Sequence, residues 1–151
     1  MPVNHSGIPL LAGATVWLLA LGWFDYHYRR LPNSLTMGGA AVLMACSLVS
    51  GGWQGFFEAL LGGVLGALWL LPFYWRGWCG AGSVKMMFAA GNLTGAPMLP
   101  VVMLIAGLWV WIQSIGKSRA EVARMPLGAI LAASSWIGAV LAVSTGTAPF
   151  F

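Results

Sequence analysis

Charge is the scarcest feature of this sequence. Of 151 residues, 7% are charged and three are acidic, whereas 60% are hydrophobic. A soluble domain carries about a quarter charged residues, so the composition excludes a soluble globular enzyme and indicates an integral membrane protein. Polar stretches long enough for a separate soluble domain are lacking, and residues 1–151 read as a single membrane domain. Seven Lys and Arg are too few and too scattered for a nucleic-acid footprint; their expected partner is anionic lipid. The two cysteines form no Cys-x-x-Cys pair, which argues against a structural zinc or a redox couple. No metal or organic cofactor is implied. Met1 to Gly7 has no Lys or Arg, unlike a cleavable signal peptide, so the first apolar run is expected to be retained.

What is present is a series of apolar runs. A spanning helix needs about 20 apolar residues. Six are expected, over about Ile8–Phe24, Ser34–Ser50, Gln54–Trp75, Ser83–Gly95, Pro97–Ile115 and Pro126–Thr145. In this all-α arrangement, Arg29, Arg30, Arg76, Lys85, Lys117, Arg119 and Arg124 all fall on one side. The positive-inside rule makes that side cytoplasmic and places both termini outside. Asn33 or Ser34 is expected to cap the second helix. Gly38-Gly39, Gly62-Gly63 and Gly66 read as sites of close helix packing. Most of the tryptophans read as interfacial anchors, and Trp17, Trp69 and Trp109 as deeper packing residues. The fourth run is short. Its 13 residues reach about 20 Å, against a hydrocarbon core of about 30 Å. The glycine-bearing segment Trp78 to Gly82 is expected to cover the difference beside a cytoplasmic recess.

Asp25 stands where the first run meets water, and Ser83 stands at the start of the short fourth run. An ionisable residue at such a place is either a solvated end-marker or a functional group. His27 reads as a solvated interface residue and Glu58 as interfacial or paired, at the far end of the third run. A Ser83–Lys85 nucleophile–base pair is disfavoured, because residues two apart leave a helix on different faces.

Three motifs carry a family resemblance. Asp25-x-x-x-Arg29-x-Leu31-Pro32-Asn33 resembles the first signature of type IV prepilin peptidases. Gly80-Ala81-Gly82-Ser83-Val84-Lys85 resembles their Gly-x-Gly-Asp-x-Lys signature, and Met125-Pro126-Leu127-Gly128 resembles a Pro-Phe-Gly element near the family's C-terminal end. The chain is most similar to the short members that serve tight-adherence (Flp) pilus systems. The longer members carry a cytoplasmic zinc-binding and methyltransferase domain, which is not expected here.

The resemblance implies an aspartic endopeptidase of the bacterial inner membrane. It would cut the leader from pilin precursors after a glycine, at the cytoplasmic face, in the service of type IV pilus assembly and protein secretion. Two carboxylates would share the work, one holding a proton while the other takes one from water. Asp25 matches the first. The second position is occupied by Ser83, which is neutral and cannot replace half of a proton-sharing pair. The sequence as written is therefore expected to be inactive. Retention of both glycines and Lys85 favours an engineered inactive version. The alternative is a naturally degenerate, non-catalytic paralogue that binds pilin precursors or assembly components. Arg29, Pro32, Asn33, Gly80, Gly82, Lys85, Pro126 and Gly128 are expected to support the motifs or position substrate. A small transporter would require mid-depth polar residues and an internal repeat, which the sequence lacks.

Overall fold

The apolar runs become helices because little interrupts them. The computed structural model describes residues 7–28, 32–116 and 127–146, with side chains from residue 12 onward. It contains α1 (Gly7–Tyr28), α2 (Asn33–Trp75), α3 (Ala81–Thr94), a 3₁₀ turn (Ala96–Met98), α4 (Leu99–Ser114) and α5 (Leu127–Thr145). Among the described residues there is no strand. By length and composition, α2, the stretch Ala96–Ser114 and α5 are each long and apolar enough to cross a membrane.

Several boundaries differ from expectation, for local reasons. Helix α1 continues past Phe24 to Tyr28, since no helix breaker occurs before Pro32; Asp25 therefore lies within the helix. The expected second and third helices are one 43-residue element, broken at Gly52 (φ 61°, ψ −152°). That conformation lies in the region that glycine alone adopts readily. Neither Asn33 nor Ser34 caps α2: the N-cap is Pro32, without a side-chain cap. Instead Thr36 Oγ1 donates to the Pro32 carbonyl at 3.0 Å. At the other end Gly77 (φ 72°) closes α2. Its N–H reaches the Tyr74 carbonyl and the Trp78 N–H reaches Phe73, both at 2.9 Å, the bond pattern of a glycine-terminated helix. The following connection spans only residues 76–80, so Ala81 and Gly82, expected in a loop, already belong to α3. Helix α3 is short, as expected: 14 residues, or about 21 Å.

The packing is inverted relative to a soluble domain. Large side chains such as Val16, Leu19, Val42, Leu61, Leu104 and Trp111 point outward, while much of the interior is alanine, glycine and serine. Without a hydrophobic drive between helices in lipid, small residues that allow close backbone approach do the packing. Helix α3 lies at the centre, packed mainly against the second arm of α2 and also against α5; α5 in turn contacts α1 and α4. The α2–α3 seam is backbone on backbone. A Cβ built on Gly62 would fall on the Gly91 carbonyl oxygen, one on Gly91 would fall on that of Gly62, and one on Gly66 would lie 2.6 Å from the Met87 oxygen. The packing role expected of Gly62, Gly63 and Gly66 is therefore observed. Gly39 accommodates the Trp17 indole, whose Nε1 donates to the Leu35 carbonyl at 2.9 Å. Gly38 has no neighbour within 4 Å, so it packs against nothing. Trp69 and Trp109, expected inside, are exposed at 57% and 39%.

Buried hydroxyls are satisfied within their own helices. Ser47, Thr94, Ser134 and Ser135 each donate to the carbonyl four residues back, at 2.6–3.1 Å. Asn92 is different. It is fully buried over Gly63, and neither its Oδ1 nor its Nδ2 has a hydrogen-bond partner among the described residues.

Candidate active site

The site is built from helix ends. In the last two turns of α1, from Gly22 to Tyr28, Asp25 is the one buried side chain; Trp23, Phe24, Tyr26, His27 and Tyr28 are exposed. Its carboxylate turns toward the start of α5, where the backbone N–H of Ala129 donates to Oδ2 at 3.0 Å. Gly128 makes this approach possible. A Cβ there would lie 2.6 Å from Asp25 Cγ and 2.8–3.0 Å from both carboxylate oxygens. Among the described residues Oδ1 takes no hydrogen bond. The hydrogen bond to one oxygen thus orients the carboxylate.

A second pairing joins the first and second motifs. Lys85 Nζ donates to Asn33 Oδ1 at 2.9 Å, across 52 residues of sequence. Ser83 lies in the first turn of α3, half-buried, its N–H bonded to the Gly80 carbonyl at 3.0 Å. The N-cap of α3 is Gly80, so Ser83 does not cap the helix. Asp25 and Ser83 are not hydrogen-bonded to each other. Because α3 is helical from Ala81, no irregular start brings Ser83 and Lys85 together as nucleophile and base.

Of the other residues singled out in the sequence, Pro32 and Gly80 precede α2 and α3, and Gly82 lies in the first turn of α3. Arg29 and Pro126 lie outside the described residues, as do Arg30, Lys117, Arg119 and Arg124. His27 is exposed and stacked on Trp23 at 3.8 Å, away from the buried Asp25. Glu58 accepts from Gln54 Nε2 at 3.2 Å on the second arm of α2. Both cysteines are free thiols, and burial pushes that of Cys79 above its ordinary range, the opposite of an activated nucleophile. Among the described residues no cluster of His, Cys, Asp and Glu could hold a metal. The Ala129 amide was not legible in the sequence, because every residue but proline carries a backbone donor. Only the glycine before it marked the place.

Fold and site together define an all-helical membrane protein with a buried carboxylate at a helix end. The profile of the type IV leader peptidase family matches residues 12–115, and the chain belongs to that family. It is 29% identical over 140 residues to the prepilin leader peptidase/N-methyltransferase of Aeromonas hydrophila, covering 85% of this chain and 48% of that protein. It is 26% identical over 147 residues to the protein of the same name from Dichelobacter nodosus, covering 88% and 50%. The chain thus spans about half the length of the curated relatives it matches. No solved structure matches it significantly.

Proposed function

We propose that this chain is the scaffold of a prepilin leader peptidase, with Asp25 and position 83 as the two working positions and Ser83 leaving it inactive as written. The observation that carries the reading is the convergence on Asp25: a buried carboxylate, an amide from α5 on one oxygen, and a glycine clearing space beside it. The relatives' shared name supports pilin precursors as substrates. In the bundle proposed here, six spans place the helix ends bearing Asp25 and residue 83 at the cytoplasmic face of the bacterial inner membrane. The break at Gly52 supports counting α2 as two spans, since about 65 Å of helix is twice the hydrocarbon thickness. The apolar helix of a pilin precursor would lie against the bundle in lipid, with its leader junction at the site.

With an aspartate at 83, Oδ1 of Asp25 is the oxygen positioned to take a proton from water. The resulting hydroxide attacks the scissile carbonyl, whose oxygen is polarised by the protonated partner. That proton then passes to the leaving amine as the peptide bond breaks. Serine at 83 supplies neither a carboxylic acid nor a shared proton, so the cycle has no acid. Reconstitution of Ser83→Asp with a pilin precursor tests this directly: leader cleavage is expected from that variant and none from the parent. Absence of cleavage by a folded Ser83→Asp protein favours the second reading, a non-catalytic binder of pilin precursors, which the missing carboxylate also supports.

A further inference from the structure

The geometry points to Lys85 as a positioning residue: by holding Asn33, it fixes the start of α2 against the start of α3 and so contributes to setting Asp25, eight positions before Asn33, relative to position 83. This rests on the shared-site reading above.

Lys85 has no carboxylate partner among the described residues. Of the chain's three acids, Asp25 is bonded to Ala129, Glu58 to Gln54 on the far arm of α2, and Glu121 lies outside the described residues. Its ammonium is instead directed at a neutral amide oxygen, 2.9 Å away. Such a bond to a charged donor is stronger and more directional than one between neutral groups, without the long reach of an ion pair. Its ends matter more than its strength. Asn33 is the first residue of α2, eight positions after Asp25, and Lys85 is two positions after residue 83 on α3. Among the described residues α1 meets α2 only slightly, where Trp17 lies against Gly39 and Leu35; at the start of α2 Asn33 and Ser34 are exposed and Thr36 is buried. The end of α1 is tied to α5 through Asp25, and the beginning of α2 is tied to α3 through Lys85. Asp25 is thus related to α3 through the packing of α5 on α3, and the Lys85–Asn33 bond adds a second, directional link at the start of α3.

The test uses nitroxide labels on Tyr28→Cys and Ala81→Cys in the whole 151-residue chain, with Cys46→Ser and Cys79→Ser, in lipid nanodiscs. Lys85→Met and Asn33→Ala are each expected to broaden the inter-label distance distribution, and the double variant to broaden it no further, because one bond is lost in all three. Asn33→Asp, which keeps the acceptor, is expected to retain the narrow distribution. In the Ser83→Asp background, Lys85→Met is expected to lower kcat about 10- to 100-fold with KM little changed, since small misplacements act on the chemical step. An unchanged distribution in Lys85→Met, or additive broadening in the double variant, overturns the proposal. A loss confined to KM also overturns it, in favour of direct substrate contact. If Ser83→Asp proves inactive altogether, the peptidase reading fails, and the label distances still decide the role of Lys85.

Discussion

At the scale of single residues, the constraint that bears most directly on the site falls on Gly128. Its space is occupied by the Asp25 carboxylate, so a methyl group there displaces the side chain on which the proposed chemistry depends. Gly128→Ala in the Ser83→Asp background is expected to cut kcat by about 100-fold or more, on the scale of an ångström of misplacement. Thermal stability should fall by no more than overpacking allows, about 1–3 kcal/mol. Unfolding curves beside the kinetics separate the two effects, and unchanged kcat contradicts the role given to Gly128. This residue was legible in the sequence as part of a motif, as were Asp25, Asn33 and Lys85. Their partners were not. That Asp25 bonds an amide of α5 and Lys85 bonds Asn33 depends on contacts across 104 and 52 residues, which no local pattern encodes.

At the scale of elements, the α2–α3 seam is where glycine identity is structural. Gly62→Ala and Gly91→Ala each force a methyl group onto a facing carbonyl, with expected losses of about 1–3 kcal/mol. Gly38→Ala meets nothing and is expected to stabilise α2 by about 0.5–1 kcal/mol, since alanine restricts the unfolded chain. Denaturant unfolding of the three variants in one detergent checks the contrast; similar effects at Gly38 and Gly62 contradict the seam. Here the sequence was a good guide where spacing dictated packing, and a poor one where neighbours decided. Gly62, Gly63 and Gly66 recur on one helical face, and the gap between the runs ending at Ser50 and starting at Gln54 announced the break at Gly52. Trp69 and Trp109 misled because depth along a helix does not say which way a side chain points. The cap misled because α2 already begins at Asn33, whose side chain is engaged by Lys85.

At the scale of the whole molecule, three stretches far apart in sequence are brought to helix ends that touch. The first motif meets the third through Asp25 and Gly128, and meets the second through Asn33 and Lys85. A membrane bundle with an apolar exterior and a small-residue interior has little freedom to place polar groups, and these four residues use helix ends to do so. The central claim is that positions 25 and 83 open onto one site. Asp25→Cys and Ser83→Cys, introduced together with Cys46→Ser and Cys79→Ser, allow it to be tested with a short bifunctional thiol reagent that fluoresces only on bridging two thiols. The account predicts intramolecular bridging in lipid, absent when either new cysteine is omitted. Labelling of both thiols without bridging, by this reagent and by longer ones reaching about 10 Å, would contradict it, because an acid and a base must reach the same substrate.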